Sequence, residues 1–180
     1  MSFIMIFVIL IVLWGVLTYN KLVTLRGRID NSWAQIDVQL KRRFNLIPNL
    51  VSSVKGYAKH EKETLEEVTA SRTKYLSAKT PEEKLEANSG LAGALSRLFA
   101  VAENYPDLKA NTNFLDLQKQ LKDTEDKIGY SRQFYNDTAM KYNVAIVQVP
   151  TSIVANLFGF KSRPYFKTEG EERENVEVKF

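Results

Sequence analysis

The feature that most restricts this chain is an uncharged apolar run at its start. Residues 3–19, from Phe3 to Tyr19, read FIMIFVILIVLWGVLTY, and no charged side chain occurs before Lys21. As a helix, residues 1–19 extend roughly 28 Å, close to the hydrocarbon thickness of a bilayer. Trp14 and Tyr19 lie toward the C-terminal end of the run, where amphipathic rings suit the membrane interface. Two other readings fit less well. A cleaved signal peptide needs a positive n-region and a small-residue cleavage site. Met1 and Ser2 carry no side-chain charge, and Leu17-Thr18-Tyr19-Asn20 is a poor site. A buried core helix fits badly with so continuous an apolar stretch. Residues 1–20 are therefore read as a single transmembrane anchor.

Charge sets the expected orientation. Residues 21–62 hold 9 basic and 3 acidic side chains, residues 63–127 hold 9 and 12, and residues 128–180 hold 7 and 6. The excess positive charge thus follows the apolar run directly. Lys21, Arg26 and Arg28 are candidate contacts for anionic lipid headgroups. The positive-inside rule places the soluble domain in the cytoplasm and a short N-terminus outside, in a single-pass protein of the cell (inner) membrane. The absence of cysteine excludes disulfides, thiolate metal sites and cysteine nucleophiles, and it suits a cytoplasmic domain.

Past the anchor the pattern is helical. Ile29, Trp33, Ile36, Leu40, Phe44, Ile47, Val51, Val54 and Ala58 recur at intervals of 3 and 4, a heptad-like stripe. The spacing predicts one helix from the membrane to about Ala58, with a kink at Pro48 and a weak end at Gly56. A second helix is predicted over residues 61–77, with Leu65, Val68, Arg72, Tyr75 and Leu76 along one side. Thr80-Pro81-Glu82-Glu83 combines an N-cap hydroxyl, a proline at the first helical position and a glutamate at the third. It predicts a third helix to about Glu103, with Leu91, Leu95, Leu98 and Ala102 inward, broken at Asn104-Tyr105-Pro106-Asp107. A last helix is predicted from Asn111 or Asn113 to just before Pro150. Its stripe is Leu117, Leu121, Thr124, Ile128, Ser131, Tyr135, Thr138, Tyr142, Ile146 and Val149, in which every other rung is polar.

The expected fold is all-α: the N-terminal transmembrane helix, then an antiparallel four-helix bundle over residues 21–150 in which the first and last helices are long. After four passes the chain returns toward the membrane. Residues 151–166 form a short apolar, aromatic segment, with Thr151 or Ser152 as helix cap and Gly159 as helix stop. Phe158, Phe160, Tyr165 and Phe166 either fold over the open end of the bundle, the preferred reading, or insert at the interface against lipid or a partner. Residues 167–180 read as a charged mobile tail, and only Val176-Glu177-Val178-Lys179 alternates like a strand. Asn45 and Asn49 flank Pro48, while Asn136 and Asn143 are 7 apart beside Tyr135 and Tyr142. These four asparagines are candidate interhelical polar contacts that fix register. A polar groove for a partner peptide is the functional alternative.

No pattern in the chain signals chemistry. His60 is the one histidine and, without cysteines, makes no recognisable zinc site. No nucleophile elbow surrounds a serine, and there is no glycine-rich phosphate loop. Glu66-Glu67 and Glu82-Glu83 are adjacent pairs, which do not share a helix face. Inward Glu-x-x-His pairs for a di-metal bundle are lacking. Lys41-Arg42-Arg43 could meet phosphates, but Leu40 and Phe44 bury one side and no aromatic platform accompanies it. The cluster is read as the wet face of the helix. No catalytic residue, metal, cofactor or nucleic acid is expected.

Several long runs resemble the LemA family. They are Asn31-Ser32-Trp33-Ala34-Gln35-Ile36-Asp37-Val38-Gln39-Leu40-Lys41-Arg42-Arg43, Leu46-Ile47-Pro48-Asn49-Leu50-Val51 and Val54-Lys55-Gly56-Tyr57-Ala58-Lys59-His60-Glu61. Ala102-Glu103-Asn104-Tyr105-Pro106-Asp107-Leu108-Lys109-Ala110-Asn111, Phe134-Tyr135-Asn136-Asp137 and Leu157-Phe158-Gly159-Phe160 continue the likeness over almost the whole chain. The resemblance implies a bacterial-type membrane protein with a four-helix domain and a short extracytoplasmic N-terminus. It implies no activity. One branch of that family is associated with magnetosome membranes, which points by analogy toward membrane organisation. The function expected is non-enzymatic: a membrane-anchored interaction or scaffold protein whose partners are membrane lipids, an unidentified protein or a second copy of the chain. The alternatives are a lipid-binding, membrane-organising protein and an accessory subunit of a membrane enzyme.

Overall fold

A computed structural model describes residues 2–58 and 60–166. The order is α1 (Ser2–Lys55), α2 (Lys62–Ser77), α3 (Pro81–Ala102), α4 (Pro106–Lys109), α5 (Thr112–Val147) and α6 (Thr151–Leu157). The described chain is almost entirely helical, with no strand among the described residues. The two long helices are the ones expected, α1 with 54 residues and α5 with 36. One helix was not expected. The break at residues 104–107 contains the single turn α4, opened by Pro106, because proline has no N–H and the first helical position is one where that donor would have no partner in the helix.

Local chemistry accounts for most of the boundaries. α1 continues through Pro48, which is exposed, and ends at Lys55 just before Gly56. At the start of α3 the Thr80 hydroxyl accepts the Glu83 N–H at 3.2 Å, and the Glu83 carboxylate accepts the Thr80 N–H at 3.3 Å and the Lys79 N–H at 2.6 Å. Those N–H groups hold the Glu83 carboxyl below the usual carboxylate range. Thr80→Ala removes one half of this capping box and is expected to cost about 1 kcal/mol, read as a fall in the urea midpoint; an unchanged midpoint would show the cap to be idle. The Asn111 side chain accepts the Phe114 N–H at 3.0 Å, which starts α5. α6 opens with Pro150 in the N-cap place, so neither Thr151 nor Ser152 caps it. It closes at Gly159, as expected. Gly159 has φ +67°, a left-handed conformation that suits a residue without Cβ. There the Phe160 N–H bonds the Ala155 carbonyl at 2.9 Å and the Gly159 N–H bonds that of Asn156 at 3.3 Å, the two bonds of a Schellman stop.

The chain divides into two compact units, one of Met1–Gln35 with Tyr130–Phe180 and one of Ile36–Gly129. The second is packed around Ile36, Leu40, Phe44, Ile47, Leu50, Val54 and Ala58 of α1 and the turn after it, Leu65 and Val68 of α2, Leu91, Leu95 and Leu98 of α3, and Leu117 and Leu121 of α5. The stripe is therefore the core, with Val51 half-buried. Two expected core positions shift. Leu76 is exposed, and Ser71 is buried in its place: the packed face of α2 runs Leu65, Val68, Ser71 and Tyr75, and Leu76 lies about 100° round the helix from Tyr75. The second is Val149, exposed beyond the end of α5.

In the first unit the described core is Leu22, Ile29, Tyr135, Ala139, Tyr142, Ile146, Val154, Ala155 and Phe160, and Trp33 is half-buried. The two buried threonine rungs of α5, one in each unit, need no partner from elsewhere. The Thr124 hydroxyl bonds the Gln120 carbonyl at 2.7 Å, and that of Thr138 bonds the Phe134 carbonyl at 2.8 Å, so each buried hydroxyl is satisfied within its own helix. The tail, with the alternating residues 176–179, lies outside the described residues.

Candidate functional site

The apolar run forms one exposed face after another: Phe3, Ile4, Met5, Ile6, Phe7 and the large side chains after them to Leu17 are open on all sides. A helix apolar all round and packed on nothing is long enough to cross a membrane. Burial begins at Thr18 and Leu22. Tyr19 at this transition meets two rings, Phe158 at 4.7 Å and Phe160 at 5.7 Å between centroids. Lys21, Arg26 and Arg28 are exposed just beyond. Arg26 also stands 5.4 Å from the centre of the Phe160 ring, a cation–π contact.

Of the aromatic candidates in the returning segment, Phe160 is buried and Phe166 half-buried, while Phe158 and Tyr165 are exposed. Phe166 packs on Tyr135 at 4.5 Å and on Trp33 at 5.6 Å.

Residues 161–166 are held by side chains of α5 acting on their backbone. The Asn143 amide bonds both groups of Arg163, accepting its N–H at 2.8 Å and donating to its carbonyl at 2.8 Å. Asn136 does the same for Phe166, at 2.8 and 2.9 Å. Between these rungs the Tyr142 hydroxyl bonds the Lys161 carbonyl at 3.0 Å, and that of Tyr135 bonds the Pro164 carbonyl at 3.2 Å. Two Tyr-Asn pairs, 7 residues apart on α5, thus grip two successive triplets. The geometry matches: one heptad of helix advances about 10.5 Å, and three extended residues advance about 9–10 Å. The strap runs antiparallel to α5. Arg163 adds an ion pair to Asp30 at 3.1 Å. Burial pushes the Tyr142 phenol up, against the pull of Arg163 and Arg26, so it stays a donor at neutral pH.

This arrangement corrects the expectation for the asparagines. Asn136 and Asn143 do not bond across the long helices but clamp the strap, and Asn45 and Asn49 are exposed. An asparagine amide has a donor and an acceptor side by side, the same pair a residue's backbone offers, which is why the strap backbone satisfies it. The tyrosine hydroxyls were missed as binding groups, although the repeated Tyr-Asn pair was the available signal.

The other polar centre is in the Ile36–Gly129 unit. Lys41 and Arg42 are exposed, but Arg43 is only 4% exposed, so the cluster is not simply the wet face of the helix. Arg43 donates to Asn88 Oδ1 at 2.6 Å and pairs with Glu125. Its Nε has no partner among the described residues. Burial pushes the Arg43 guanidinium pKa down and Glu125 opposes it. Nearby, Asp37 of α1 takes bonds from Lys84 of α3 at 2.6 Å and from Tyr75 of α2 at 3.5 Å. Tyr75 stacks on Phe44 at 4.0 Å, and burial beside Asp37 raises its pKa to about 12. Two open hollows indent this unit. One of about 330 Å³ is lined by Ser71, Lys74, Glu83 and Glu86, and one of about 380 Å³ by Val51, Ala58, Leu65 and Thr69. Glu83 is already committed to its cap. His60 is exposed in the turn before α2.

Comparison with known proteins gives consistent results. The family model described as LemA family matches residues 32–180. The chain is 27% identical over 175 residues to magnetosome protein MamQ 1 of Paramagnetospirillum magneticum (strain ATCC 700264 / AMB-1), covering 83% of this chain and 64% of the relative. Magnetosome protein MamQ of Magnetospirillum gryphiswaldense is 27% identical over 174 residues, covering 82% of this chain and 64% of the relative. The chain thus spans somewhat less than two thirds of the length of these relatives. Protein LemA of Metamycoplasma hominis is 29% identical over 163 residues, covering 88% of this chain and 73% of the relative.

Proposed function

The chain belongs to the LemA family, and from that premise we propose that it is a membrane-anchored, non-enzymatic interaction or scaffold protein. One observation carries the reading: a single helix, α1, joins an exposed apolar run to a packed helical unit. A helical surface is thereby tethered at a membrane, where confinement raises its effective concentration and weak contacts suffice. The cations that follow the run, Lys21, Arg26 and Arg28, favour a cytoplasmic domain at the inner membrane of a bacterial cell.

Crosslinking of the full chain in native membranes, followed by co-purification, tests this. The expected result is a discrete higher-mass adduct with a second copy or with another protein. A strictly monomeric chain that co-purifies with nothing at native abundance removes the reading, and a recurrent enzyme subunit among the adducts turns it toward an accessory subunit. A lipid-organising role is the second reading, supported by the exposed apolar residues of α6 and by relatives named as magnetosome proteins.

A further inference from the structure

We propose that α6 and the turn before it lie in the membrane interface, as a second lipid contact beside the α1 span. The inference rests on the reading of α1 as a span and adds a surface to it. No charged residue occurs between Lys141 and Lys161. Within that stretch Val147, Val149, Ile153, Leu157 and Phe158 are exposed, Val149 at 83% and Leu157 at 77%. Ile153 and Leu157 stand four apart on one face of α6, while Val154 and Ala155 on the other are buried. The packed side fixes which way the helix faces, so the apolar side cannot roll out of water by itself. A contiguous apolar patch of this kind marks a surface covered by something.

The position of α6 identifies what covers it. Phe158 is in ring contact with Tyr19, the last residue of the apolar run, so α6 shares the depth at which the span leaves the hydrocarbon. A face at that depth meets lipid. The charged residues arrange themselves accordingly: Lys21 and Arg26 follow the run, Lys161 and Arg163 follow α6, and Arg26 bridges the two by lying over Phe160. Apolar side chains bounded by cations form the pattern of an interfacial helix on an anionic membrane. The inserted side chains are Ile153, Leu157 and Phe158, whereas Phe160 and Phe166 secure the segment from the protein side.

The chain contains no cysteine, so a nitroxide can be placed at single positions of the full protein. Labels at Phe7, Ile153, Leu157 and Gln133, each an exposed position, are to be compared after reconstitution into phosphatidylethanolamine–phosphatidylglycerol vesicles. The expected result is that labels at Phe7, Ile153 and Leu157 favour collision with oxygen over a water-soluble nickel chelate, while that at Gln133 favours the chelate. A lipid-like label at Phe7 with water-exposed labels at Ile153 and Leu157 overturns the α6 contact and leaves the anchor standing. A water-exposed label at Phe7 overturns both. In native membranes, a photocrosslinker at Leu157 is expected to give lipid adducts, and a discrete protein adduct as the main product overturns the proposal in favour of a protein-covered face.

Discussion

Replacing Asn136 and Asn143 together by alanine is expected to free residues 161–166 from α5. The two amides make four hydrogen bonds to the strap. At about 1 kcal/mol net for each bond, their loss shifts the docking equilibrium by on the order of 4 kcal/mol, or a thousandfold. Amide hydrogen exchange reads this directly, because the Arg163 and Phe166 N–H groups are the ones the asparagines accept. Both should lose protection while the core of the Ile36–Gly129 unit keeps its own. Asn143→Asp sharpens the test. A carboxylate still accepts the Arg163 N–H but repels its carbonyl, so the single change should cost more than half of what Asn143→Ala does. Unchanged protection in the double alanine variant would mean that ring packing of Phe160 and Phe166 holds the strap and that the amides only follow it.

The second large effect is expected at Arg43. Asn88→Leu takes a partner from a guanidinium that is nearly closed to solvent. It leaves a buried charge with Glu125 alone and is expected to cost about 2–4 kcal/mol. Arg43→Met is expected to cost less, about 1–3 kcal/mol, because Glu125 is half exposed and regains water while Asn88 loses its partner. The double variant Arg43→Met/Asn88→Leu should recover part of the loss, since both members of the pair become apolar together. Urea unfolding of the detergent-solubilised full chain, followed by helical circular dichroism, measures all three. Costs that simply add would show that Arg43 and Asn88 are not coupled and that Glu125 alone sustains the buried charge.

Much of the fold was legible in the sequence for identifiable reasons. The apolar run is legible because a bilayer demands continuity, and continuity survives in one sequence without an alignment. The stripe from Ile36 to Ala58 is legible because burial repeats with the turn of the helix. Thr80 to Glu83 and Gly159 are legible because capping is local chemistry: every group involved lies within a few residues. Where reasoning failed, the partner was distant or was backbone. Arg43 falls between Leu40 and Ile47 at helical spacing, a core position by periodicity, yet its type and its neighbours Lys41 and Arg42 suggested water. Its burial is permitted by Asn88 and Glu125, each on another helix and far along the chain. The heptad spacing of Asn136 and Asn143 marks them as a pair but points to a facing helix, whereas they bond the backbone of residues 163 and 166. Their true partner is a main chain, which offers the same N–H and carbonyl whatever its side chains are and therefore leaves no mark in the sequence.

That same indifference governs how the strap and its clamp can change over time. The hydrogen bonds of the ladder do not read the side chains of residues 161, 163, 164 and 166. At Phe166 and Arg163 the side chain is held separately, by the rings of Tyr135 and Trp33 and by Asp30. Lys161 and Pro164 are therefore the positions free to drift while Tyr135, Asn136, Tyr142 and Asn143 stay fixed. The bonds themselves filter one kind of residue. Lys161 and Pro164 are held through their carbonyls alone, and a proline already stands at one of them without the loss of a bond. Arg163 and Phe166 must each supply an N–H as well, and there the imino acid is barred. The clamp thus sets a grammar of two open places and two places closed to proline, and related chains that keep the Tyr-Asn pairs should obey it even where no letter of the strap is shared.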